Sequence, residues 1–271
     1  MIHSARTSRQ PRREVWSRDR LLRERAIALG QAIDTSTLNS YSSALNSFLN
    51  FIHLHDFPVE PTPDTLSFFA VYMSHQIEPK SVLNYLSGIC QQLEPYFPNV
   101  CTSHLSPLVE RTMKGCRCLQ SSPVKQKRAL TFDNLHKVVN ELVTSNLHDD
   151  LLFIAMLLTD FFALMRLGEL TFPNEIRLHN WKKITRRSTV VVTNEQYEFL
   201  LPTHKVDRFF DGNSIIIKKD QYCNINPLAA FRAYLTSRDD RFPLSLPLWI
   251  LHNSTVPTCQ FFITQLRHFF D

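Results

Sequence analysis

One arginine stands at the end of a long apolar stretch of the chain. The stretch covers residues 151–165, with Thr159 and Asp160 as its only polar residues, and Arg166 follows it directly. A helix that is apolar on almost every side is buried in a protein core. We therefore expect the guanidinium at its end to be held against the core. Its planar fork of donors suits the recognition of a phosphate or a carboxylate.

Two interpretations of Arg166 are open at this point. The guanidinium could bind an oxyanion of a ligand, or it could donate to the last carbonyl groups of its own helix, with Gly168 as the stop signal. Residues 164–170 read Leu-Met-Arg-Leu-Gly-Glu-Leu. This segment resembles the first catalytic box of the tyrosine recombinases and phage-type integrases, in which a helix is followed by Gly-x-Arg-x-Gly/Ser-Glu-Leu. Leu164 stands where that family has glycine.

The resemblance implies a catalytic role for three residues. Arg166 would contact the scissile phosphate, with Glu169 in a supporting role. Lys205, in the connection between two predicted strands, matches the family's hairpin lysine, which reaches the same phosphate and protonates the leaving oxygen. His204 and Arg208 are the alternative local candidates for that position. The family's reaction is attack by a tyrosine hydroxyl on a DNA phosphodiester inside a cage of cations, and it uses no metal and no cofactor.

Two further parts of the family's active site have no clear match. The family carries a His-x-x-Arg box and later the tyrosine nucleophile, whereas the sequence stops at Asp271 and its last tyrosine is Tyr234. Thr264-Gln-Leu-Arg267 could be a degenerate box with threonine in place of histidine. We therefore expect a C-terminally truncated catalytic domain that cannot cleave DNA alone.

A narrower resemblance concerns the recombinases of Crypton-like transposable elements of fungi. It rests on three phrases and spans about residues 30–270. The phrases are Tyr85-Leu-Ser-Gly-Ile, Gln92-Leu-Glu-Pro-Tyr-Phe-Pro and His204-Lys-Val-Asp-Arg-Phe-Phe-Asp-Gly-Asn. The resemblance implies a nuclear protein of DNA recombination and integration that binds double-stranded DNA. A homo-oligomer on DNA is a further possibility.

The pattern of apolar residues predicts mostly helices. In the first half, three- and four-residue spacing predicts helices from Thr35, with Asp34 or Ser36 as N-cap, and at about residues 63–73, 79–93 and 107–118. The second half adds helices at about 131–142, 226–238 and 258–270. Strand-like segments lie at 188–193, 196–201 and 214–218, with a turn at 211–212. The fold class predicted is mainly α with a small antiparallel β-sheet, α+β.

Composition divides the chain into four parts. Residues 1–30 form a basic arm, and residues 31–119 a helical domain that resembles the SAM-like core-binding domain of the family. Residues 120–128 are a basic linker by composition, and residues 129–271 are the partial catalytic domain. The resemblance implies that the two domains close around a DNA duplex as a clamp.

Charge is concentrated in a few places. Residues 1–25 hold eight arginines against three acidic residues, and residues 26–271 balance at 22 basic and 22 acidic groups. A DNA surface on the folded part must therefore come from local patches. Lys80 and Ser81 lie in the first turn of a predicted helix, where they either meet a phosphate or simply cap the helix. The patch that we predict to bind DNA comprises Arg111, Lys114, Arg117, Lys125, Lys127 and Arg128. A second cluster comprises Lys182, Lys183, Arg186 and Arg187.

Other classes of protein fit less well. No apolar run reaches the roughly 18 residues that a membrane span needs, and the arginine-rich start is no secretory signal. The six cysteines lack the paired spacing of a zinc site, which favours reduced thiols in an intracellular protein. Three functions remain open: a DNA-binding protein derived from a recombinase, an active recombinase completed by another chain or by further sequence, and a helical scaffold that binds no nucleic acid.

Overall fold

The computed structural model describes residues 14–31, 33–123, 128–142, 144–203, 211–219 and 225–270. Contacts within the chain divide it into two compact units, Met1–Lys125 and Gln126–Asp271. The described residues are mostly helical and include one three-stranded antiparallel sheet, which confirms the predicted α+β class. None of the helices in these ranges is both long and apolar enough to span a bilayer.

The first unit is built from helices whose starts follow capping residues and prolines. Asp34 caps the second helix through its carboxylate, which accepts from the Ser36 N–H at 2.9 Å, and Thr62 and Ser106 cap two others. The helix starts predicted at Thr35 and at residues 63, 79 and 107 are confirmed. The helices are α1 (Arg18–Gln31), α2 (Thr35–Leu54), α3 (Pro63–Ser74), α4 (Pro79–Leu93), α5 (Val100–His104) and α6 (Pro107–Gln120).

The core of the first unit depends on a close crossing of α2 and α4. Gly88 lies at this crossing, and a Cβ built on it would come within 2.9 Å of the Tyr41 ring and 3.1 Å of the Tyr41 Cα. The helices can approach this closely only because the position has no side chain. Around the crossing, Phe48 and Phe69 meet edge to face at 5.4 Å between ring centroids. α1 lies outside this core, with almost all of its side chains exposed.

The second unit is organised around one buried helix. Its helices are α7 (Phe132–Leu142), α8 (His148–Ala163), α9 (Leu167–Leu170), α10 (Pro227–Arg241) and α11 (Cys259–Phe270), with short 3-10 turns at Ile176–Leu178, Trp181–Lys183 and Arg187–Thr189. From Leu152 to Thr159 every residue of α8 is buried. This helix packs against α7, α10 and the sheet, so the prediction that the apolar run is a core helix is confirmed.

The sheet is a meander of β1 (Val191–Val192), β2 (Gln196–Leu201) and β3 (Asn213–Lys218). Tyr197 pairs with Ile217 in the register of the second and third strands, and both side chains are buried on the inner face. The strand predicted at 188–193 is wrong in its first half, because the chain makes a 3-10 turn there before it becomes extended. The predicted turn contains Gly212 at φ 73°, a left-handed conformation that favours glycine.

A fully buried arginine closes the end of α10. Arg238 donates from Nη1 to Asp239 at 2.8 Å and to the Phe242 carbonyl at 3.0 Å, and from Nη2 to the carbonyls of Ser245 and Pro247. These bonds tie the segment after the helix to the helix itself. α10 ends at Arg241, beyond the end near residue 238 that the sequence predicts, and the Phe242 N–H donates to the Arg238 carbonyl at the helix end.

We predict opposite effects for two glycine-to-alanine substitutions. Gly88→Ala should lower the free energy of unfolding by about 1–3 kcal/mol, because the new methyl group meets helix backbone that cannot move away freely. Gly115→Ala should raise it by about 0.5–1 kcal/mol, because nothing lies within 4 Å of its Cβ position and alanine is the better helix former. Chemical denaturation measures both. Equal effects of the two substitutions would contradict the close helix crossing.

Candidate nucleic-acid interface

The chain reverses direction before it reaches Arg166. α8 ends at Ala163, and Leu164 adopts the left-handed conformation at φ 51° and ψ 40°. The Asp160 carbonyl accepts from the backbone N–H groups of Leu164 and Met165, the latter at 3.0 Å. The expectation that the Arg166 guanidinium is held against the core is therefore wrong. Its side chain is 62% exposed, because the turn carries it away from the buried helix.

Glu169 holds Arg166 through both main chain and side chain. One carboxylate oxygen of Glu169 accepts from the Arg166 backbone N–H at 3.0 Å, and the other accepts from Nη1 at 3.3 Å. In return, the Glu169 N–H donates to the Arg166 carbonyl at 2.7 Å. Only 12% of the Glu169 side chain is exposed. The two residues are thus brought together, with the carboxylate mostly covered and the guanidinium facing solvent.

Hydrogen bonds join the segment just after the short helix α9 to the start of α11. Thr171 donates to the Leu167 carbonyl at 2.8 Å, and its hydroxyl lies 3.0 Å from the Cys259 thiol. Phe172 exchanges backbone hydrogen bonds with Pro257 and Cys259 at 2.9 and 3.0 Å. These bonds join residues almost ninety positions apart, so the Arg166 turn is part of the folded unit rather than a free loop.

A half-buried carboxyl group, that of Asp160, lies beside this turn and is not among the functional residues that the sequence predicts. Burial, with a smaller contribution from the Glu169 charge, raises the pKa of Asp160 to about 6. Its Oδ1 has no hydrogen-bond partner among the described residues. The available signal was an acidic residue inside an otherwise apolar run. Two carboxyl groups therefore accompany Arg166, one of which ionises with difficulty.

Three of the predicted DNA-binding residues lie on one side of α6. Arg111, Lys114 and Arg117 are exposed, while the opposite side of the helix buries its apolar residues in the core of the first unit. None of the three forms an ion pair with an acidic side chain in the described ranges. We name this set, Arg111, Lys114 and Arg117, the α6 stripe.

The other predicted residues of the first unit lie at the start of α4. Lys80 and Ser81 are both exposed in the first turn. Glu78 is the N-cap, but its side chain makes no capping hydrogen bond, and its carbonyl accepts from the Ser81 N–H at 2.8 Å. The Glu78 side chain therefore does not cap this helix, and the phosphate contact of Lys80 and Ser81 stays a prediction.

Several predicted residues fall outside the described part of the chain. These are Lys125 and Lys127 of the linker, together with Lys205 and its alternatives His204 and Arg208. Arg128 is described and is exposed. The predicted convergence of Arg166 and Lys205 on one phosphate therefore stays a prediction.

The two described tyrosines of the second unit are core residues. The Tyr234 hydroxyl donates to the Leu248 carbonyl at 2.7 Å and accepts from the Ile250 N–H at 3.0 Å. The Tyr197 hydroxyl lies 2.9 Å from that of Thr159. Burial raises the pKa of both tyrosines. Neither hydroxyl can therefore reach a DNA phosphate.

The second basic cluster is divided between one half-buried, paired arginine and three exposed cations. Arg187 makes a bidentate ion pair with Asp239, with Nη2 to Oδ2 at 2.7 Å, whereas Lys182, Lys183 and Arg186 are exposed. Burial alone would raise the pKa of Asp239, but hydrogen bonds from Arg187 and Arg238 outweigh it and lower that pKa. Arg187 thus serves the fold rather than an anionic ligand.

No family model and no curated protein matches the sequence. Among solved structures, the chain is similar to the crystal structure of XerA recombinase. The TM-score is 0.36 and the sequence identity 13%, over 93% of this chain and 74% of that chain. This is a distant likeness of fold.

We predict that Leu164→Gly stabilises the protein. Leucine in the left-handed conformation is strained by about 1–2 kcal/mol, and glycine is not. The side chain is 90% exposed, so its removal loses little packing. The free energy of unfolding should rise by about 1 kcal/mol in denaturant titrations. Leu164→Ala keeps the Cβ and is the matched control, so a similar gain from alanine would contradict the role of the backbone conformation.

We predict a change in pH dependence for Asp160→Asn. Because the pKa of Asp160 is higher in the folded than in the unfolded chain, the folded state binds more protons between about pH 4 and pH 6, and stability falls as the pH rises through this range. Asparagine removes this slope and should stabilise the protein at pH 7. Because the carboxyl group is partly solvated, we expect a gain of about 1 kcal/mol rather than the full shift. Unfolding titrations from pH 4 to pH 7 measure it, and an unchanged slope would contradict the assignment.

Proposed function

We propose that this protein binds double-stranded DNA through its first unit and that its fold derives from a tyrosine recombinase. The α6 stripe carries the proposal. Three cations at three-residue spacing stand on the exposed side of one helix, without ion-pair partners in the described ranges. Such a row suits consecutive phosphates, which supply most of the affinity of proteins for duplex DNA.

The start of α4 supports the same proposal. Its N-cap side chain makes no capping bond, and Lys80 and Ser81 are exposed in the first turn. The Lys80 ammonium and the Ser81 hydroxyl are exposed donors at the positive end of this helix, and such donors suit a phosphate. We assign this turn a phosphate contact of its own, in the same unit as the α6 stripe.

We further propose that the second unit retains a phosphate-facing arginine but does not cleave DNA by itself. Arg166 is exposed and oriented by a covered carboxylate, an arrangement that suits an arginine which contacts an anion. A nucleophile is lacking among the described tyrosines of this unit, because both are buried. The finer proposals follow the sequence resemblance alone: kinship with Crypton-like recombinases, a nuclear location, and assembly as a homo-oligomer on DNA.

The α6 stripe gives a quantitative prediction for duplex binding. Replacing Arg111, Lys114 and Arg117 by alanine removes up to three phosphate contacts. The slope of log K against log salt concentration should become shallower by about 0.9 per lost contact, and affinity at low salt should fall at least about tenfold. Fluorescence anisotropy with labelled duplexes of two unrelated sequences measures this, and the loss should be similar for both.

A charge-matched control separates a binding surface from net charge. Replacing Lys218, Lys219 and Arg241 by alanine removes the same charge from exposed positions of the second unit. This control should change the salt slope much less than the α6 variant. Equal changes in both variants would contradict the α6 stripe as the DNA surface. If neither duplex binds at low salt, the remaining alternative is a helical scaffold that binds no nucleic acid.

The enzymatic alternative has its own test. A suicide duplex that traps a phosphotyrosyl intermediate should give no covalent adduct with this chain. An adduct would establish an active recombinase, and Arg166→Ala should then abolish it. Because Arg166 is exposed, this variant should keep the thermal unfolding temperature within a few degrees of wild type, which separates loss of chemistry from loss of fold.

A further inference from the structure

An exposed tryptophan stands in a basic segment of the second unit. Trp181 begins the 3-10 turn Trp181–Lys183 and is 62% exposed. Residues 176–194 contain five lysines and arginines and no acidic residue. An aromatic side chain of this size normally packs into a core. Its exposure in a basic segment therefore indicates a possible ligand contact.

The Trp181 ring packs against neighbouring aromatic residues. It contacts Phe172 edge to face, with 5.4 Å between ring centroids and an angle of 85°. Phe172 in turn stacks on His179 at 4.3 Å, and the His179 Nε2 lies 2.9 Å from the Pro173 carbonyl. The indole therefore packs against an aromatic pair while most of the residue stays exposed. A ring held in place in this way loses little freedom when a planar ligand stacks on it.

Ion pairs neutralise two of the cations in the segment that carries Trp181. Arg177 is paired with Glu175 at 2.6 Å and Arg187 with Asp239 at 2.7 Å. Lys182 and Arg186 are exposed and form no ion pair in the part of the chain that the structure describes. Two cations of the segment that carries Trp181 are therefore exposed to solvent and can meet an anionic ligand.

We propose that Trp181 stacks on an unpaired base of single-stranded DNA while Lys182 and Arg186 contact its phosphates. Every base has a π-face, so stacking of this kind tolerates any sequence, and lysine and arginine neutralise the backbone on either side. The bases inside a duplex are already stacked on each other and cannot stack on the indole. This site therefore differs in ligand from the α6 stripe, and it does not depend on duplex binding by the first unit.

The test compares a short oligothymidine with an abasic strand of the same length. Both present the same phosphates, but only the first has bases that can stack. With the full chain, anisotropy should show the oligothymidine binding about tenfold or more tightly. Trp181→Ala should bind the two strands nearly equally, and Trp181→Phe should retain most of the preference. Replacing Lys182 and Arg186 by alanine should weaken both strands alike.

The control is an exposed aromatic residue elsewhere. Tyr96, in the first unit, is 77% exposed, and Tyr96→Ala should keep the wild-type preference for the oligothymidine. Equal binding of the two strands by the wild type, or a preference that survives in Trp181→Ala, would overturn the stacking site. Absence of binding to either strand at low salt would also overturn it. Duplex binding by the α6 stripe is measured in a separate experiment. None of these outcomes therefore decides whether the first unit binds duplex DNA.

Discussion

The burial of α8 is the constraint on which the second unit depends. Eight consecutive residues of this helix, from Leu152 to Thr159, are buried, so α7, α10 and the sheet must cover it on several sides. A helix enclosed in this way cannot itself present a functional side chain. The chemistry must come from the segment that follows it. The left-handed residue at 164 ends the helix abruptly and places Arg166 at the surface within two residues.

This arrangement explains why glycine suits the position of Leu164. A residue with positive φ between a buried helix and a short exposed one is least strained when it has no Cβ. Leu164 adopts this conformation at a conformational cost, because its Cβ is strained at positive φ.

Much of the fold could be predicted from local sequence, because local signals determine it. Prolines and capping residues mark the helix starts, and the runs at 196–201 and 214–218 form strands close to their predicted bounds. The exposure of Arg166 could not be predicted, because the apolar pattern continues through Met165 and does not reveal the reversal at Leu164. The structural role of Arg238 could not be predicted from the sequence either. Its partners include the carbonyls of Phe242, Ser245 and Pro247, and only a tertiary structure brings them to one guanidinium.

The ion pairs of Asp239 decide which cations of the second unit are available to a ligand. Arg187 and Arg238 share Asp239, one buried completely and the other in part, so these arginines serve the fold although the sequence counts them as basic residues. Each charge of a close ion pair attracts outside charges only weakly, because its partner neutralises it at short range. Formal charge therefore overstates the anion-binding capacity of the 182–187 cluster. Lys182 and Arg186 remain exposed there, in the same segment as the exposed Trp181. The α6 stripe differs because its helix has apolar residues on one side and cations on the other, so the folding of the first unit itself leaves those charges facing solvent.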